Sequence, residues 1–254
     1  MDHEKEGVRA ILDAGAAAVQ PIMMHGGVPF VVVPKDYKVH DLESLQIVPF
    51  RKRANVTTTD TRSFIDYTKK HGSLDQCTVY ADIDAESSRF NLVAVINDHC
   101  ADMPQWRDHR CQFMPAQAVE WKRWLGSNKK PVSQAEFATW LEDNLSDIAS
   151  TVEGMPRGAD ILQMALGFEF AEDENIDTRT KMQVFERFTL GLPVFDGGAS
   201  AYPLVARLKY REKDGKVTFW YELIRPDRVF KQAVKDELAR IAGETGFPVI
   251  YGTP

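Results

Sequence analysis

The chain is short of the features that announce a secreted, membrane or nucleotide-binding protein. Three cysteines among 254 residues are few and odd in number, so they do not make a closed disulfide framework. The N-terminal MDHEKEGVRA is charged and has no apolar core of a secretory signal, so reduced thiols and a cytoplasmic location are the expectation. No window approaches the roughly 18 consecutive apolar residues that cross a bilayer, so no membrane partner is expected. No Walker loop, GxGxxG, GxSxG or HExxH is present, nor any internal repeat or long Gly/Ser linker. Positive charge is also in deficit: 31 Lys and Arg face 37 Asp and Glu, a net charge of −6. That balance argues against general affinity for a nucleic acid backbone, which needs a clustered positive field. The basic clusters Arg51-Lys52-Arg53 and Lys129-Lys130 read as solvated loop charge.

What is present is concentrated. Four of the five tryptophans fall between Asn97 and Asn144, together with His99, His109, Cys100 and Cys111. Hydrophobic residues at 44% and charged residues at 27% are ordinary for a globular protein, and the length suffices for one large core.

The periodicities predict an α+β fold. Val8, Ile11, Leu12 and Val19 among alanines suggest a first helix over 4–19, ended by Pro21. Residues 30–33 read as a short strand between prolines, and the following DLESLQIVPF as mostly extended. Thr59 or Asp60 caps a helix over SFIDYTKKH, with Gly72 as its stop. CTVYADID and FNLVAVIN alternate with period two around AESSR and predict an antiparallel hairpin, with WRDHRCQF as a third strand that places His109, Cys111 and Phe113 on one face. Ser133 and Glu136 form a capping box ahead of a helix carrying Phe137, Trp140, Leu141, Leu145 and Ile148. A further helix is expected over 159–170, then a C-terminal meander of MQVFERFTL, YPLVARLKYREK and KVTFWYELI with an Asp214-Gly215 hairpin turn. Pro226 opens a last helix, and PVIYG adds a short strand. Antiparallel sheets packed with several helices, in a single domain over 1–254 with a soft subdivision near 150–158, are the expected architecture. Both faces of KVTFWYELI are apolar, which calls for a cover on the second face from the helix after Pro226 or from another subunit.

The residues able to carry chemistry are Asp82, Asp84, Asp98, His99, His109 and Cys111. Asp82 and Asp84 share a strand face, as paired carboxylates around a divalent cation do, and His109 and Cys111 share another. Their spacing matches no standard zinc signature, and adjacent His99 and Cys100 do not converge on one ion. A Cys-His nucleophile pair lacks a visible cause for a lowered thiol pKa beyond Arg107 and Arg110. Neither a cofactor nor a metal is expected, and the tryptophans read as core or interface residues.

Seven segments, VPKDYKVHDLE, SFIDYTKKH, INDHCADMPQWRDHR, EWKRWL, SQAEFATWLEDN, FTLGLPVFDGG and VTFWYELIRPDRV, together resemble the YfdQ-like family of phage and prophage proteins. The resemblance spans about residues 28 to 240 and implies a temperate-phage context in a bacterial host. It supplies no catalytic residues, and it implies large closed homo-oligomers. The sequence therefore predicts a self-assembling accessory or structural protein whose main partner is itself. Two alternatives stay open. One is a metal-dependent hydrolase or nuclease acting through Asp82, Asp84, Asp98 and His109; the other is a recombination or host-defence-evasion accessory that binds nucleic acid or a host protein.

Overall fold

The structure, a computed structural model, describes residues 2–19, 23–25, 28–30, 38, 45–149, 154–168, 185–198 and 200–254. The chain divides into a unit of residues 1–52 and a larger body of residues 53–254. The first unit holds helix α1 (Asp2–Val19) and the antiparallel pair β1 (Met23–His25) and β2 (Val28–Phe30). Most of the strand expected over 30–33 lies outside the described residues, and residues 45–50 form no strand.

In chain order the body runs β3 (Ala54–Thr58), α2 (Thr61–His71), β4 (Thr78–Asp84), β5 (Arg89–Val95), β6 (His109–Phe113), α3 (Val119–Gly126), β7 (Val132–Ser133) and α4 (Gln134–Asp143). It continues with α5 (Gly158–Leu166), β8 (Arg187–Pro193), β9 (Ala201–Lys213), β10 (Lys216–Leu223), α6 (Pro226–Thr245) and β11 (Val249–Tyr251). The fold is α+β, as the periodicities predict, with a five-stranded sheet ordered β11-β4-β5-β6-β3 and a four-stranded sheet ordered β7-β10-β9-β8.

The five-stranded sheet is built on the predicted antiparallel meander of β4, β5 and β6, with Ala81 opposite Leu92 and Leu92 opposite Phe113. Its two edges are parallel, β3 to β6 and β11 to β4. Period two sees only the alternation within a strand, so it cannot show direction; a strand arriving from a long crossover, as β11 does after α6, is free to enter parallel. Val79, Ala81, Leu92, Ala94, Cys111 and Phe113 alternate onto one buried face. Helix α2 covers that face with Phe64, Ile65 and Thr68, and the Phe64 and Phe113 rings lie 5.6 Å apart. Its start is fixed by Asp60, whose carboxylate accepts from the Ser63 amide at 2.8 Å.

The four-stranded sheet turns its hairpin through Asp214 (φ 54°) and Gly215 (φ 68°), a left-handed pair that Asp-Gly tolerates and that matches the strand twist. Phe188, Leu190, Leu204, Ala206, Phe219 and Tyr221 form its buried face. Phe137 of α4 stacks on Phe219 with centroids 5.3 Å apart and planes at 11°. Trp124 of α3 meets Tyr221 at 5.0 Å and Phe188 at 6.1 Å. Each such ring contributes about 1.5–3 kcal/mol by leaving water.

Two expectations change. The capping box at Ser133 and Glu136 is formed, but α4 ends at Asp143, so Leu145 sits in a 3-10 turn and is 36% exposed. Asn144 ends the helix early, because its side-chain amide donates to the Trp140 carbonyl at 2.7 Å and takes the acceptor that the next turn would use. Helix α6 does not cover the second face of β10. Tyr202 shares a face with Leu204 and Ala206, and its hydroxyl donates to Asp236 of α6 at 3.1 Å, so α6 lies on the same side as α3 and α4.

Candidate functional site

Two polar networks sit where β4, β5 and β6 meet the segment 97–108, one on each side of the sheet. On the side away from α2, Asp98 is the hub. Its Oδ2 accepts from the Tyr80 hydroxyl at 2.8 Å, and its Oδ1 accepts from the His99 amide and from Arg107 Nε, each at 2.9 Å. Burial pushes this carboxyl up, but Tyr80, the His99 amide, Thr78 and Arg107 outweigh it and hold it below the usual carboxylate range. Burial and then the Asp98 carboxylate raise the Tyr80 phenol. The Arg107 guanidinium stands 5.7 Å from the Tyr80 ring centroid and closes the triangle.

On the α2 side, His109 is buried at 4% exposure, with its Nε2 2.9 Å from the Tyr67 hydroxyl. The His71 ring lies 5.4 Å from His109 and 4.6 Å from Tyr67, so three rings from one helix and one strand form a cluster. The His109 amide donates to the Asn97 side chain at 3.0 Å, and Asn97 in turn donates to Asp108 at 2.9 Å. This cluster joins a phenol and two imidazoles through one hydrogen bond and close ring contacts.

The remaining sequence candidates lie elsewhere. Asp82 faces Arg89 at 3.5 Å, and Asp84 accepts from the Ser87 hydroxyl at 2.6 Å and from the Glu86 and Ser87 amides, so it shapes the turn after β4. Both stand at the far end of β4 from Asp98, whose amide bonds the Gln76 carbonyl ahead of that strand. His109 points to the opposite face of the sheet. Asp82, Asp84, Asp98 and His109 therefore do not converge, and among the described residues no group of three or more His, Cys, Asp or Glu is arranged to hold a metal ion. His99 is exposed and accepts from the Gln105 amide through Nδ1 at 2.9 Å. Burial raises the Cys111 thiol to about 11 and the Cys77 thiol to about 12, the reverse of an activated nucleophile.

The strand pattern placed His109 on one face with Cys111 and Phe113 but did not point to Tyr67, His71, Tyr80 or Arg107 as its surroundings. Tyr67 and His71 are four apart on α2, a legible spacing, yet their meeting with His109 depends on how α2 docks. A cavity of about 150 Å³ also opens between the start of α2, the segment Phe195–Gly198 and α6. Most of its charged walls are engaged internally: Arg62 with Asp66, Arg240 with Glu244, Glu237 with the Thr61 hydroxyl, and Asp60 with the Ser63 amide.

These features define an α+β protein with two internal polar networks and no assembled metal or nucleophile centre among the described residues. The chain belongs to the DUF2303 family of uncharacterised conserved proteins, whose profile matches residues 4–180 and 166–254. Comparison with curated proteins and with solved structures finds no match.

Proposed function

We propose that this chain is a YfdQ-like protein of phage or prophage origin that works in the bacterial cytoplasm by assembling into a homo-oligomer, as a structural or accessory component. The observation that carries this reading is apolar surface in the N-terminal unit. Val8, Ile11 and Leu12 of α1 are 58%, 73% and 66% exposed, and Leu45, Ile47, Val48 and Phe50 are 78%, 103%, 69% and 85% exposed. Single exposed apolar side chains are ordinary, but a helix stripe and a run of four within six residues are what a subunit shows when its cover is supplied by another chain. Each of these side chains gives up about 1.5–3 kcal/mol by staying in water. A second copy is the favoured cover, because a symmetric assembly buries one such patch once per subunit.

Sedimentation velocity and light scattering on the full chain test this. A mass several times 28.7 kDa is expected, with Ile11→Asp and Leu12→Asp moving it toward the monomer. A monodisperse 28.7 kDa species at micromolar concentration overturns the reading.

A further inference from the structure

Period two divides the four-stranded sheet into a buried face and an outer face, and the outer face is strongly basic. Cross-strand partners lie on the same face, so the register places side chains without further argument. Arg187 is opposite Arg207, Arg207 opposite Glu222, Lys209 opposite Trp220, Arg211 opposite Thr218, and Lys213 opposite Lys216. Six cations and the single carboxylate of Glu222 therefore occupy the outward positions of β8, β9 and β10, in a chain whose net charge is −6. None of the six makes an ion pair with a carboxylate among the described residues. Arg187, Arg211, Lys213 and Lys216 are exposed, and Arg207, Lys209 and Trp220 are half-buried.

The row from Arg207 to Lys213 runs along one strand for roughly 20 Å, with a cation at every outward position. Trp220 stands beside it, with the Arg211 guanidinium 5.9 Å from its ring centroid. The helices α3, α4 and α6 all reach this sheet from the other side, through Trp124, Phe137 and Asp236.

We propose that this outer face is a docking surface for single-stranded nucleic acid. Charge complementarity selects the occupant: a linear row of cations with no carboxylate partner among the described residues matches a chain of phosphates, and each neutralised phosphate releases a counterion. The aromatic ring among them selects single strands, because an unpaired base can stack on Trp220 while its backbone follows β9, and a flat sheet carrying an aromatic is a recurrent platform for this. The overall negative charge is no obstacle, since binding responds to the local field of the face.

The test is fluorescence anisotropy of a labelled oligo-dT of about thirty nucleotides against the full chain, over a range of salt. The wild-type chain is expected to bind with an affinity that falls linearly in log–log salt. Reversing Arg207, Lys209 and Arg211 to Glu is expected to weaken binding at least tenfold at low salt and to flatten the slope by about 2. Trp220→Ala is expected to weaken it about fivefold or more with the slope unchanged. Reversing Lys122, Lys231 and Lys235, exposed on α3 and α6, is expected to leave the slope unchanged and controls for net charge. Circular dichroism confirms each fold, and the milder Lys209→Gln with Arg211→Gln reads the same slope if the triple reversal fails to fold. No binding by the wild-type chain, or an equal loss in the control, overturns the proposal. So does a triple reversal that changes the sedimenting mass while oligo-dT binding persists, which makes the face a contact between copies. Equal competition by duplex DNA with no effect of Trp220→Ala overturns the assignment to single strands.

Discussion

Asp98 Oδ1 accepts from Arg107 Nε at 2.9 Å, and through this pair the segment leaving β5 is tied to the segment entering β6. The Asp98 side chain is 8% exposed and that of Arg107 26%, and the Arg107 backbone sits in the left-handed region at φ 55°. A conformation that a non-glycine residue adopts at a cost of about 1–3 kcal/mol persists only when its surroundings fix it. Asp98→Ala strands the guanidinium and removes the two oxygens that accept three hydrogen bonds, so it is expected to lower stability by about 2–4 kcal/mol in urea unfolding. A cost under about 0.5 kcal/mol contradicts the role assigned to the pair.

The same carboxylate makes an acid-sensitive contribution. Its folded pKa lies below the unfolded value of about 3.9, so its stabilisation is fully present above that value and is lost as pH falls through the folded pKa. Asp98→Asn has no such contribution to lose. The stability gap between wild type and this variant is therefore expected to narrow as pH is lowered from about 6 to below about 3, and a gap independent of pH contradicts it.

The three cysteines differ in reactivity. Cys77 and Cys111 are buried and their thiols are raised to about 12 and 11, while Cys100 is only half-buried, with its Sγ 3.4 Å from the Asp75 carbonyl. A colorimetric thiol assay on native protein at about pH 8 is expected to count one fast-reacting thiol, and three after denaturation. Two fast thiols in the native state contradict this burial pattern.

Two neighbouring tryptophans give opposite expectations. Trp124 Nε1 donates to Asp147 at 2.8 Å, whereas the Trp140 Nε1–H is buried with no acceptor among the described residues, although the rings lie 5.7 Å apart. Trp124→Phe leaves Asp147 with Arg123 and a longer contact from the Ser146 hydroxyl, and is expected to cost about 2–4 kcal/mol through the lost bond and the void. Trp140→Phe removes an unsatisfied donor, which offsets part of its lost packing, so it is expected to cost under half as much in thermal or urea unfolding. Equal costs contradict the assignment of the two indole groups.

Much of the fold was legible because its signals are local. The Ser133–Glu136 box, the Asp60 cap and the Asp214-Gly215 turn each depend on residues a few positions apart, and the burial of Cys111 and Phe113 follows from alternation within one strand. The end of α4 was misread because an asparagine side chain competed for a backbone carbonyl, which apolar periodicity does not register. The parallel edges β3 and β11 were not legible, since pairing direction depends on long crossovers.

By itself the sequence determined the α+β class, the main elements and the inward face of each, because helix and strand periods, caps and turn conformations act over a few residues. Tertiary structure alone decided which side chains meet. It separated Asp82 and Asp84 from Asp98, brought Tyr67 and His71 to His109, and gathered Arg187, Arg207, Lys209, Arg211 and Trp220 onto one face. Along the chain those cations alternate with Leu208 and Tyr210 and form no dense run. The register of three strands concentrates them, because charge density is a property of a surface and not of a string.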